Sequence, residues 1–240
     1  RLPRVNDISF GVRRKEIVGL AGLLGSGRTE TAEMIFGSRP KDDGEVYVHG
    51  RLVNIKNPMD AVQNKLAFCT ENRRVDGIVP NMSVMNNIIL TNLKNMTTHG
   101  FIQMDACEEL VDEFIQKLQI KTPSRDQKIR YLSGGNQQKA LLAKWLATNP
   151  DLVILDEPTR GIDVGAKQEI EKMMQELAKE GVSVLFISSD LSELVRNCDR
   201  VVVLREGYDV GELSGQEITE EAIMKLIAKN THNKEGEVCE

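Results

Sequence analysis

The chain has 240 residues, 40% of them apolar, 28% charged and 4% aromatic, with a formal net charge of -5 and a pI near 5.5. That length and mix suit one large folded domain with disorder kept to the ends, and no apolar run approaches the ~20 residues of a membrane span. The acidic balance opposes a nucleic-acid partner, which needs a basic face.

Cys69, Cys107, Cys198 and Cys239 are far apart and lack metal-ligand spacing, so they read as reduced thiols of a cytosolic compartment. His49, His99 and His232 read as ordinary loop or surface residues. The chain opens on Arg1 and is already strand-like by Ile8, the pattern of a piece cut from something longer.

Residues 5–12 alternate loosely and are expected to form an edge strand, and 16–20 a short buried one. The second runs into Gly22, Leu23, Leu24, Gly25, Ser26, Gly27, Arg28, Thr29 and Glu30, a glycine-rich turn that opens a helix over 29–36. The spacing is that of the phosphate-cradling loop G-x-x-x-x-G-K-S/T, with Arg28 where the lysine belongs. Lysine acts there as a compact charge, whereas a guanidinium is larger, planar and prefers forked contacts, so phosphate binding should weaken.

Residues 44–50 read as a hairpin strand, 58–65 as a helix with proline in its first turn, and 66–69 as a strand. That strand ends at Thr70, Glu71, Asn72, Arg73 and Arg74. Farther on, Cys107, Leu110, Val111, Phe114, Ile115 and Leu118 fall at helical spacing and form one apolar core stripe. Gly100 and Pro123 mark the loops around it.

Residues 132–139 read Leu-Ser-Gly-Gly-Asn-Gln-Gln-Lys. Ser133 suits a helix cap, and residues 136–148 are good helix formers. The glycine pair admits close approach of another surface, and the free N–H groups of the first turn favour an anion. An apolar strand at 152–155 then delivers Asp156 and Glu157 at its C-terminal end, where open α/β sheets hold ligands. A turn at 159–163, a helix at 164–179 and a buried strand at 183–187 follow, the last ending at Ser188, Ser189 and Asp190, a cap for a helix at 191–195. A hairpin at 200–205 and 208–213 and an amphipathic helix at 219–229 close the chain, before a polar tail at 230–240 that is expected to be disordered.

The run at 132–139, together with Asp-Glu-Pro-Thr-Arg-Gly-Ile-Asp at 156–163, resembles the signature, Walker B and D-loop of ABC-type ATPases. The resemblance implies an α/β P-loop NTPase fold with a mostly parallel core sheet and an antiparallel β part. It places a helical subdomain at about 83–132 inside a single domain spanning 1–229. ATP and Mg²⁺ are the implied cofactors. The turn from Gly22 to Glu30 would hold phosphates, Thr29 and Asp156 would meet the metal, and Glu157 would polarise the attacking water. Glu71 stands where the family carries a sensing glutamine, and Ser189 where it carries a switch histidine; a serine hydroxyl is shorter and does not titrate near neutrality.

The Glu71-Asn72-Arg73-Arg74 loop with Gly77, together with Arg28, Ser189 and the Asn-Gln-Gln-Lys form of the signature, is similar to the second of two ABC domains fused in bacterial simple-sugar importers. Such a domain sits on the cytoplasmic face of the inner membrane. Its implied partners are the first ABC domain of the same polypeptide, membrane permease subunits and, indirectly, a periplasmic sugar-binding protein. In this reading Ser133, Gly134, Gly135 and Gln137 complete a site whose phosphate loop belongs to the first domain, while the chain's own loop is weak. A soluble ABC ATPase acting on ribosomes or nucleic acid is the alternative, against which the acidic pI and the Glu71 loop weigh.

Overall fold

The computed structural model describes residues 5–228. The first part of the chain forms β1 (Ile17–Ala21), α1 (Arg28–Phe36), β2 (Val46–Val48), β3 (Arg51–Val53), α2 (Pro58–Gln63) and β4 (Leu66–Cys69). Next come α3 (Val84–Ile89), β5 (Thr97–Thr98), β6 (Phe101–Ile102), α4 (Met104–Lys117) and α5 (Gly134–Leu146). The last part holds β7 (Leu152–Asp156), α6 (Val164–Glu180), β8 (Ser183–Ile187), α7 (Leu191–Asn197), β9 (Arg200–Arg205), β10 (Tyr208–Ser214) and α8 (Glu220–Ala228).

The main sheet runs in the order β10-β9-β1-β8-β7-β4, parallel throughout except where β10 turns back on β9. Strands covered on both faces need apolar side chains at every position, which is why β1, β4 and β8 read as short unbroken apolar runs. Their side chains alternate between two cores. Val18, Leu20, Ile154, Leu185 and Val202 pack with Ala32 and Phe36 of α1 and Ala61 of α2. Ile17, Val153, Leu155, Phe186 and Val203 face a larger core that continues without a break through Val84 and Ile88 of α3, Val111 and Phe114 of α4, Leu141 of α5 and Ile170 of α6. Each such side chain, fully buried, contributes roughly 1.5–3 kcal/mol.

The α4 stripe lies as its spacing predicts, with Cys107, Val111, Phe114 and Leu118 buried and Leu110 and Ile115 packed against the same core. Residues 5–12 differ from expectation: they form no strand, and make one isolated bridge between Asp7 and Tyr208. Ile8, Phe10 and Val12 still pack on the smaller core, so their alternation reports burial and not pairing with a neighbouring strand. β2 falls within the hairpin strand expected at 44–50; its antiparallel partner β3 and both strands of the β5-β6 hairpin are ones that the apolar pattern did not reveal. The turns of the two hairpins are His49-Gly50 and His99-Gly100, both residues of each pair at positive φ, the same backbone solution as Glu206-Gly207 between β9 and β10. The polar tail at 230–240 and residue 229 lie outside the described residues.

Candidate active site

The C-terminal ends of β1, β7 and β8 open on a cleft of about 870 Å³, lined by residues 22–30, Glu71, Glu157, residues 159–161, Lys167, residues 188–190 and Glu193. The 22–30 turn owes its shape to three glycines. A Cβ on Gly22 would come within 2.4 Å of Ser26 Oγ and 2.5 Å of the Leu204 carbonyl, and Gly25 and Gly27 sit at φ 80 and 100. Gly27 thereby aims the start of α1 at the cleft, and its carbonyl accepts from the Thr31 hydroxyl at 2.7 Å. Ser26 Oγ is buried with no hydrogen-bond partner among the described residues.

Arg28, in the first turn of α1, is only 9% exposed. Its Nη1 donates to the Ser188 carbonyl at 2.7 Å, and its Nη2 lies 3.8 Å from Glu157 Oε1. Burial lowers the guanidinium pKa and raises that of Glu157, each shift opposed by the charge of the other. At this separation desolvation outweighs the attraction, so the pair is held by its surroundings more than by its own Coulomb energy.

Asp156 closes β7 with no exposed surface, and burial pushes its carboxyl up to about 6. The nearby Thr29 hydroxyl opposes that shift, yet its geometry falls short of a hydrogen bond, and both Asp156 carboxylate oxygens lack a partner among the described residues. Glu157 follows at φ 46, a left-handed conformation that costs a non-glycine residue about 1–3 kcal/mol and is held by its N–H donating to the Ile187 carbonyl at 2.9 Å. Ser189 donates to Glu157 Oε2 at 3.1 Å, so the residue at the switch position meets the carboxylate expected to polarise water. Glu71 faces the same cleft and pairs with Arg160.

The signature residues are elsewhere. Ser133, Gly134, Gly135 and Gln137 do not line this cleft. Ser133 caps α5 by accepting from the Asn136 N–H, as its type predicts, and the helix opens at the glycine pair, which forms its first turn. Gly135 packs so closely on α6 that a Cβ would lie 2.6 Å from that of Ala166. Gln137 is buried and donates to the Leu132 carbonyl at 3.0 Å, which makes it a brace for the turn ahead of the helix.

The sequence reading missed two buried connectors. Arg73, in a π-helical turn (Arg73–Gly77), donates Nη1 to the Arg160 carbonyl at 2.9 Å and Nη2 to the Gly161 carbonyl at 3.3 Å, and a Cβ on Gly134 would meet that same Nη2. Glu193, in the first turn of α7, accepts from Thr159, Ser188 and Lys167. Only its place four residues after Ser189 hinted at the cleft.

A sequence model of the family described as "ABC transporter" matches residues 5–160 of this chain. The chain belongs to the ABC transporter family. It is 48% identical over 93% of its length to a putative ribose/galactose/methyl galactoside import ATP-binding protein of Geobacillus kaustophilus, covering 44% of that protein. It is also 48% identical over 92% of its length to a ribose import ATP-binding protein of Clostridium tetani, again covering 44%. The chain therefore spans less than half the length of these relatives. Its fold matches a nucleotide-free ATP-binding cassette from an ABC transporter with a TM-score of 0.75 at 22% identity, covering 92% of this chain and 88% of that one.

The cleft of this ABC transporter chain fits a magnesium nucleotide. Ser26 Oγ and both Asp156 oxygens are buried polar atoms with no partner among the described residues, and a Cβ on Gly25 would meet nothing within 4 Å, which leaves the turn open there to phosphate oxygens. Among the described residues no group of three or more His, Cys, Asp or Glu could hold a metal by itself, so a cation here would rest on Asp156, Thr29, phosphate oxygens and water. When bound, Mg²⁺ would offset charge on the phosphates. The cation that the 22–30 turn itself offers, Arg28, is engaged with Ser188 and Glu157. Among the described residues no helix is long and apolar enough to cross a membrane.

Proposed function

We propose that this chain is an ATP-binding domain that energises import of a simple sugar, a pentose or hexose, across the bacterial inner membrane. The observation that carries this reading is the separation of the two phosphate-facing elements: the 22–30 turn lines the cleft and the 133–137 turn does not. A signature that does not serve its own cleft is available to a second one. Ser133, Gly134 and Gly135, braced by Gln137, would complete the ATP site of the first ABC domain of the same polypeptide. The names of the relatives supply the sugar-import context, and the fraction of their length that the chain covers leaves room for that domain.

In this reading the chain's own cleft binds ATP and Mg²⁺ weakly, because Arg28 is committed to Ser188 and Ser189 replaces a titratable residue. Glu157 and Asp156 would keep the roles of water-polarising and metal-facing carboxylates. The domain would sit on the cytoplasmic face of the membrane, against permease subunits fed by a periplasmic sugar-binding protein. Exposed Val75, Val79 and Met82 beside the Glu71 loop and exposed Phe101, Ile102 and Met104 at the β5-β6 hairpin supply apolar surface for a permease. The test compares ATP turnover by residues 1–240 alone with turnover in the complete transporter. Little turnover by the chain alone and brisk turnover on assembly is expected. Brisk hydrolysis by the chain alone, independent of its concentration, would reject the shared-site reading.

A further inference from the structure

Glu193 is 1% exposed, yet it lines the cleft and touches none of the residues assigned to phosphate or water. Its Oε2 accepts from Thr159 Oγ1 at 2.8 Å and from Ser188 Oγ at 2.8 Å, and its Oε1 from Lys167 Nζ at 3.1 Å. These donors come from three segments: the loop that follows Glu157, the end of β8, and α6. A buried carboxylate is retained only where it is paired and hydrogen-bonded, and here every donor belongs to an element that borders the cleft. The contacts continue outward on both sides. The Ser188 carbonyl holds Arg28, and the loop begun by Thr159 offers the Arg160 and Gly161 carbonyls to Arg73, whose Nη2 lies 2.8 Å from where a Cβ on Gly134 of the signature turn would stand.

We propose that Glu193 is a positioning residue for the ATPase, tying the 159–163 loop to the end of β8 so that this chain's phosphate turn and its signature turn keep one fixed geometry. The catalytic arm of this proposal rests on the function proposed above; the structural arm does not. Without Glu193 the Thr159 and Ser188 hydroxyls and the Lys167 ammonium lose their common acceptor, and the loop is left to Arg73 and to the solvent-accessible Arg160–Glu71 pair.

The test uses the complete polypeptide in its transporter and compares wild type with Glu193→Ala, Glu193→Gln, Thr159→Val and Ser188→Ala, singly and in pairs. Hydrogen–deuterium exchange is read without nucleotide, together with kcat and KM for ATP. In Glu193→Ala the amides of 159–163 should exchange about tenfold faster or more, with residues 17–21 of the sheet unchanged, a local opening and not a global one. Thr159→Val should reproduce part of that rise alone and add nothing when combined with Glu193→Ala, and kcat should fall about tenfold at a KM within about twofold of wild type. Should Glu193→Ala fail to fold, Glu193→Gln, of the same shape, should show a smaller rise confined to the same amides. Wild-type exchange across 159–163, an equal rise in 17–21, or a full additional effect of Thr159→Val would overturn the proposal. A local rise in a transporter whose wild type hydrolyses no ATP would uphold the tether and defeat the functional reading instead.

Discussion

Arg28 Nη1 donates to the Ser188 carbonyl at 2.7 Å, joining the 22–30 turn to the end of β8 in a buried, charge-assisted hydrogen bond. An arginine there does more than replace one cation with another. Its length and fork let it span the cleft floor from α1 to β8 and bring Nη2 near Glu157, so the positive charge of the turn is already in use before any ligand arrives.

Arg28→Lys separates these two roles. The single ammonium cannot keep both contacts, so the variant should lose about 1.5–3 kcal/mol of unliganded stability, as expected for a buried charged hydrogen bond. Its freed charge should raise nucleotide affinity about tenfold, roughly 1.4 kcal/mol. Urea unfolding and titration with a fluorescent ATP analogue measure the two. Affinity equal to or below wild type would show that freeing the charge at position 28 does not strengthen nucleotide binding.

Asp156 predicts a pH dependence. With its carboxyl raised to about 6 from an ordinary 3.8, the folded state holds a proton that the unfolded chain has released. Stability therefore falls as pH rises from about 4 to about 6 and stays lower above that, by about 3 kcal/mol at most. Asp156→Asn removes the ionisation, so without Mg²⁺ the variant should be no more stable than wild type at pH 4 and clearly more stable at pH 7. The quantity to measure is the difference between the two urea midpoints as a function of pH; a flat difference would count against burial as the cause.

The two signature glycines should behave differently. A Cβ at position 135 meets the Ala166 Cβ at 2.6 Å, fixed to α6, whereas one at 134 meets the end of the Arg73 side chain at 2.8 Å. Gly135→Ala should cost about 1–3 kcal/mol in thermal or urea unfolding as α5 and α6 are forced apart. Gly134→Ala should cost less, because the end of the Arg73 side chain can shift while keeping its Nη1 bond to the Arg160 carbonyl, whereas the Ala166 Cβ is fixed to its helix. Loss of function in Gly134→Ala at near wild-type stability would then report on the signature turn itself; equal stability losses would contradict the contact geometry.

Ser133→Ala tests the cap of α5. Ser133 Oγ accepts from the Asn136 side-chain amide at 2.9 Å and from its N–H at 3.4 Å. The second contact is long, so the loss should fall near the lower part of the roughly 0.5–2 kcal/mol span of N-cap substitutions. Ser133→Asp should restore it. A loss above that span would mean the serine does more in the unliganded protein than cap a helix.

Most of the architecture was legible in the residues. Short apolar runs ending at Gly22, Glu71, Asp156 and Ser188 belong to strands whose C-terminal ends meet at one cleft, and the α4 stripe fell on its core face. Local chemistry sufficed at the caps read at Ser133 and Asp190 as well, each of which accepts from a backbone N–H of the first turn. The misses share a cause. The alternation over residues 5–12 reports burial against the core and says nothing of a pairing partner about two hundred residues away, and β3, β5 and β6 were hidden because two- and three-residue strands carry too few alternations to show a period.

What the chain wrote into its own sequence is the set of chemical groups: a glycine turn with an arginine where a lysine is usual, two carboxylates closing a strand, and a serine-capped helix opening on two glycines. Those follow from residue type and spacing within a few positions. Which of them share a cleft was decided only by the tertiary fold. The sheet order sets Arg28 against Ser188 and Glu157, buries Glu193 among donors from three segments, and turns the signature away from its own phosphate turn. Such contacts join residues far apart in sequence, and no local pattern encodes them, because they arise from how strands stack and helices pack across the sheet.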